Sequence, residues 1–82
     1  MNLIVLTPER KVFEGEITSV KIPGITGQFE VLRNHAPMVS ALGEGPVRII
    51  QKSGGNKTFK IERGFIEVIK NEVALLVQGV EE

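Results

Sequence analysis

Nowhere along these 82 residues does an apolar i, i+3, i+4 pattern persist. Short segments rich in Val, Ile and Phe are instead cut by Gly, Pro or Asn at intervals of roughly 8 to 12 residues. Such punctuation leaves no room for a packed helix and predicts an all-β chain. With so few residues the expected architecture is a small two-sheet antiparallel β-sandwich of about eight to ten short strands. Residues 1–82 read as one domain, with no repeat, linker or low-complexity stretch dividing them.

The first strand is expected at residues 3–6, stopped by Pro8, which has no N–H to give to a ladder. A second short segment opens at Val12 and Phe13 and ends at Gly15. In EITSVKIP the apolar phase slips, because Ile17 is odd while Val20 and Ile22 are even. A bulge near Thr18 and Ser19 restores it. PGITGQ reads as a turn, with Gly24 and Gly27 free to take positive φ. In FEVL, Phe29 and Val31 point inward and Glu30 outward. Pro37 biases Ala36 toward extended geometry, so NHAPM is a corner entering an extended MVSAL.

GEGP is a further turn, and SGGN joins VRIIQK to KTFKIE as a hairpin. In the second of these strands Phe59 and Ile61 alternate with polar residues. Gly64 is expected to break the chain before FIEVI, and Lys70-Asn71 to turn it into VALLV. Three neighbouring pairs are apolar on both faces: Ile49 with Ile50, Phe65 with Ile66, and Leu75 with Leu76. Only one face of a small sheet can meet the core, so these residues either form an exposed patch or lie under loops and strand ends.

Composition removes much chemistry. There is no Cys and no Asp, so disulfides, thiolate zinc sites, cysteine nucleophiles and a Ser-His-Asp triad are excluded. Ten basic residues balance ten acids, and no field draws nucleic acid or anionic lipid. With no Trp or Tyr and four Phe, stacking platforms for bases are lacking; Phe13, Phe29, Phe59 and Phe65 are assigned to the core. The apolar runs fall far short of the roughly 20 residues of a membrane span. The start lacks the basic flank and cleavage site of a signal peptide. GITGQ and GEG precede no helix that could hold a phosphate, and turn chemistry accounts for both.

His35 is the one imidazole. As a base it needs a nucleophile and an orienting carboxylate, for which Ser40 and Glu30 or Glu44 are the local candidates. A site of one His and some Glu would hold a metal weakly. Beside Pro37, the histidine is better read as a capping or interface residue in a corner.

The order of motifs carries a resemblance. LIVLTPERKVFEGEI, then VKIPGITGQFEVLRNHAPMVSALGEGPVRI, then a hairpin and RGFIEV are together similar to the N-terminal β-sandwich domain of the epsilon subunit of F-type ATP synthases. The similarity covers essentially the whole chain. It implies a non-catalytic rotor subunit, without cofactor or metal. Such a subunit binds the side of the gamma subunit, rests on the polar loops of the c-ring and helps couple proton translocation to ATP synthesis. It implies a location peripheral to the membrane through the complex, on the cytoplasmic face of a bacterial inner membrane, with no direct insertion and no nucleic acid.

Matched position by position, the resemblance puts Thr26, Gly27 and Gln28 with Arg33, Asn34 and His35 at one end that meets the c-ring. It puts Val39, Ala41, Leu42, Gly45 and Pro46 near gamma. Gln28, a neutral residue, stands where the resemblance implies an acid. The family commonly continues into a C-terminal helical hairpin that can inhibit hydrolysis. Nothing follows VQGVEE in the sequence, so this polypeptide is expected to couple and assemble without that inhibition. The competing readings are a generic β-sandwich interaction module of another assembly and, more distantly, a small hydrolase using His35.

Overall fold

The computed structural model describes residues 1–82 and contains eight strands and no helix. They are β1 (Asn2–Leu6), β2 (Lys11–Gly24), β3 (Gly27–Leu32), β4 (Met38–Leu42), β5 (Gly45–Gln51), β6 (Asn56–Ile61), β7 (Arg63–Ile69) and β8 (Glu72–Gln78).

Strand β2 organises the fold. The two segments expected on either side of Gly15 are one continuous 14-residue strand. Its first half pairs with β1, from Lys11↔Leu6 to Glu16↔Asn2. Its second half pairs with β3 on one side and β5 on the other. The switch lies at the expected bulge: the ladder to β5 steps from Ile17↔Gln51 to Ser19↔Ile50, leaving Thr18 unpaired. The Thr18 hydroxyl donates to the Ile50 carbonyl at 3.3 Å. The extra residue puts Ile17, Val20 and Ile22 all on the buried side, and its bend carries the strand from one sheet into the other.

Two layers result. One runs β2–β1–β8–β7–β4 and the other β3–β2–β5–β6. The sandwich is as expected, with one exception to its antiparallel pairing: β1 and β8 are parallel, from Asn2↔Glu72 to Leu6↔Leu76. No tight hairpin constrains the chain's first and last strands. The whole domain connects them, and either direction is open to them.

Sixteen apolar side chains form one buried cluster fed by both layers, and no buried side-chain polar atom lacks a partner. Phe59 is buried as expected, while Phe13 and Phe29 pack against the cluster from its margin. Phe65 departs from expectation: it is 57% exposed, on the outside of β7.

Turn chemistry explains most of the loops. Lys70 and Asn71 take φ of 51° and 64°, the two-residue pattern whose twist matches that of the flanking strands. The β5–β6 hairpin closes through Gln51 N–H to Gly55 C=O at 2.8 Å and Gly54 N–H to Gln51 C=O at 2.9 Å. Gly27 has positive φ, but Gly24 does not. Gly24 is small because a Cβ there would lie 2.6 Å from the Gly27 oxygen and 2.9 Å from the Phe29 ring. Gly64 does not break the chain either: β7 runs through it from Arg63. A Cβ on Gly64 would sit 2.5 Å from the Leu76 carbonyl oxygen, so it is a point of close strand approach. The break falls one residue earlier than β7, at Glu62.

The tail lies along β6. Lys60 and Glu81 exchange backbone hydrogen bonds of 3.0 and 2.9 Å, covering an edge that would otherwise be open. Glu82 follows with ion pairs to Arg10 at 2.5 Å and Lys57 at 2.9 Å.

Candidate partner-binding surface

The corner that holds His35 is built from backbone bonds. His35 N–H donates to Leu32 C=O at 3.1 Å, and the ring Nδ1 lies 2.7 Å from the Ala36 carbonyl, which can only accept. The ring therefore has Nδ1 protonated in this geometry and is turned to its own loop. The Ser40 hydroxyl donates to Ala41 C=O at 3.3 Å, and so the suggested nucleophile is not engaged with the imidazole. No group of three or more His, Cys, Asp or Glu side chains forms that could hold a metal ion.

Beside His35, Asn34 takes φ of 65° and binds Asn71 reciprocally. Asn34 N–H donates to Asn71 Oδ1 at 2.7 Å, and Asn71 Nδ2 donates to Asn34 Oδ1 at 3.0 Å. Asn71 C=O also accepts from Asn2 N–H at 2.8 Å. One end of the sandwich is thus tied together from the corner, the β7–β8 turn and the N-terminus.

Thr26, Gly27 and Gln28 sit at the other end. They form the β2–β3 turn and the start of β3, whereas Arg33, Asn34 and His35 follow the end of that six-residue strand. Five strand steps separate Gly27 from Leu32 by about 17 Å. The two groups expected at a single end are therefore not brought together, and the turn at Thr26–Gln28 is not a neighbour of His35. An extended strand holds its two ends apart. The neighbours of that turn are Gly43, whose N–H donates to Pro23 C=O at 2.8 Å, and Gly45, where a Cβ would lie 2.8 Å from Pro23 Cβ. Gly45 and Pro46 thus share an end with Thr26, Gly27 and Gln28.

Val39 and Ala41 belong to another feature, the outer face of the first layer. Cross-strand register aligns two rows there. Leu6, Leu76, Phe65 and Ala41 make one row across β1, β8, β7 and β4. Ile4, Ala74, Glu67 and Val39 make the other. Seven of these eight positions are apolar, and Val39, Phe65 and Leu76 are 70%, 57% and 54% exposed. A groove of about 610 Å³ opens along the first row, its lining including Leu6, Leu76, Phe65 and Ala41 of that row together with Thr7 and Pro8.

Doubly apolar pairs thus make an exposed patch in two cases of three. Phe65 and Leu76 face out directly opposite each other, while Ile50 lies half-buried on the other layer. Leu42 is 2% exposed and can act only from beneath the face. Ile4 and Leu6 are additions that strand patterning did not single out. Their signal is present in the sequence, since every residue from Leu3 to Leu6 is apolar. The opposite layer presents a polar exterior, where Lys21 pairs across strands with Glu30 and Arg48.

Glu82 is held below the usual glutamate range, first by the hydrogen bond from Lys57 and then by that from Arg10. It lies exposed on the tail, between Arg10 and Lys57.

Residues 1–82 match the family described as ATP synthase, Delta/Epsilon chain, beta-sandwich domain. The ATP synthase epsilon chain of Chlorobium limicola is 41% identical over 79 residues, covering 96% of this chain and 90% of that one. That of Chlorobaculum tepidum is 44% identical over the same length and with the same coverage. The epsilon chain of Leptospira borgpetersenii is 42% identical over 76 residues, and there the match spans 59% of the relative.

Among solved structures, a chain of the Euglena gracilis mitochondrial ATP synthase (OSCP/F1/c-ring) superposes with a TM-score of 0.87 at 20% identity. The match covers 96% of this chain and 51% of that one. A chain of the Tetrahymena thermophila mitochondrial ATP synthase (central stalk/c-ring) gives 0.83 at 17% identity, covering 100% and 66%. At such identities the two superpositions establish the fold.

Proposed function

Because the chain belongs to the ATP synthase delta/epsilon β-sandwich family, we propose that it is a non-catalytic central-stalk subunit of an F-type ATP synthase. In this role it binds the gamma subunit and the c-ring and helps couple proton translocation to ATP synthesis. The observation that carries the reading lies on the outer face of β1, β8, β7 and β4, where two adjacent cross-strand rows are apolar at seven of eight positions. Covering such a face removes apolar surface from water, which drives association. A rigid sandwich so held transmits torque without chemistry of its own.

Val39 and Ala41 lie on this face, and Phe65, Leu76 and Leu6 join them in the proposed gamma contact. A sandwich set upright on the ring offers it one end. The polar turn of Thr26, Gly27 and Gln28, with Gly45 and Pro46 beside it, suits that contact. Arg33, Asn34 and His35, about 17 Å away along β3, are then left to the upper end and its neighbours. Gln28 is neutral, so it would meet the ring by hydrogen bonds in place of an ion pair.

There is no helix long and apolar enough to cross a membrane. Attachment to the membrane runs through the complex, on the cytoplasmic face of a bacterial inner membrane. Co-expression with the gamma subunit and c-ring of the same genome, followed by purification through a tag on gamma, tests the assignment. The chain is expected in a complex containing both; its absence from that complex sinks the reading. A dominant partner unrelated to ATP synthase would point to an interaction module of another assembly.

A further inference from the structure

Glu67 is the one charged residue within the two apolar rows of the outer face, and Arg63 and Glu72 lie on the same face in the rows that flank them. Its cross-strand neighbours are Val39 on β4 and Ala74 on β8, and Phe65 lies two residues along on the same side of β7. The molecule's four ion pairs involve Glu16, Glu14, Glu82 and their cations, and none includes Glu67. In the free chain its carboxylate is exposed and hydrated. A partner that covers the apolar rows strips that water away, and a desolvated carboxylate without a cation costs far more than the surrounding contacts return. Arg63 marks the far side of Phe65 at about 13 Å from Glu67 along the strand; its Nε donates to Gln78 Oε1 at 2.7 Å, and it has no carboxylate partner.

We propose that Glu67 sets the specificity of the face by pairing with a Lys or Arg on the gamma subunit. The matching gamma segment carries apolar side chains for the Phe65–Leu76 row and an acidic or amide group toward Arg63. This rests on the gamma-binding reading above and adds the charge pattern the partner must carry. The apolar rows supply most of the attraction, and the buried charge rejects surfaces that are merely greasy.

The test is titration of the full chain into purified gamma subunit, with Glu67→Gln, Glu67→Lys and Phe65→Ser compared at low and high salt. Glu67→Gln is expected to weaken binding roughly five- to tenfold, and Glu67→Lys more than a hundredfold. Phe65→Ser should weaken it at least tenfold while keeping the wild-type salt dependence. If Phe65→Ser weakens binding and Glu67→Lys stays within twofold of wild type, the charge proposal is overturned and the face survives as the contact. If Phe65→Ser has no effect, the face itself is misassigned. Sedimentation of the free chain completes the test. A two-fold packing through Phe65 would set Arg63 of one copy against Glu67 of the other. Dimerisation lost on Glu67→Lys, with gamma binding unchanged, overturns the proposal in favour of a second copy.

Discussion

Asn34 and Asn71 hold each other across 37 positions of sequence, each donating to the other's side-chain oxygen. Both have left-handed backbone conformations, at φ of 65° and 64°, which asparagine tolerates better than any other residue with a Cβ. The pair welds the His35 corner to the β7–β8 turn, and Asn71 holds β1 as well through Asn2. Replacing Asn71 by Gly keeps the turn and removes the side-chain bonds, and should cost about 1–3 kcal/mol. Asn71→Ala should cost more, since alanine also pays for positive φ. Thermal unfolding of the two variants, with a drop of several degrees for each and the larger for Ala, checks this.

Leu75 and Leu76 are adjacent and face opposite ways, at 0% and 54% exposure. Leu75→Ala empties part of the core and should destabilise the domain by about 2–5 kcal/mol. Leu76→Ser should change stability by less than about 1 kcal/mol, yet reduce gamma binding about tenfold. Denaturant unfolding beside a binding titration separates the two. Equal loss of stability in both variants would contradict the placement of Leu76.

At Gly64, a methyl group would press on the Leu76 carbonyl oxygen and the Val77 side chain. Both belong to the neighbouring strand and cannot swing away. Gly64→Ala should therefore lower stability by about 1–3 kcal/mol despite alanine's smaller conformational entropy. A stabilised variant would mean that β7 and β8 lie further apart than described.

Glu82 gives a pH signature. Its carboxyl is held below the ordinary value by Lys57 and then Arg10, so folding favours the ionised form. The resulting stabilisation is present above the unfolded-state pKa and is lost as pH falls through the lower folded value. Carboxyl titration by NMR should show Glu82 titrating below the ordinary glutamate value, and Lys57→Ala should move it back up. The group is exposed, and raising salt should shrink the difference.

His35→Ala should leave no catalytic loss to measure, since Ser40 is bonded to Ala41 and the imidazole to Ala36. Its effect on complex assembly should be small, as for peripheral contacts generally. A hydrolytic activity of the free chain that disappears in this variant would reopen the enzymatic reading.

Local sequence determined the strands and most turns, because their cause is local. Alternation at Phe59 and Ile61, the missing N–H of Pro37, the glycines of SGGN and the phase slip between Ile17 and Val20 each act within a few residues. The absence of Cys and Asp removes whole classes of chemistry by composition alone, whatever the fold. What only the tertiary structure decided depends on which strands meet. Phenylalanine is apolar and Phe65 reads as core, but β7 uses Ile66 and Val68 inward and leaves Phe65 outside. Gly64 reads as a break because its reason, the Leu76 carbonyl, lies on another strand. The same holds for the turn at Thr26–Gln28 and the corner at Arg33–His35. They are near in sequence and far in space, because the strand between them is extended. The face with Glu67 at its centre is spread over β1, β4, β7 and β8, and it exists only once hydrogen-bond register aligns residues 4, 39, 67 and 74 in one row.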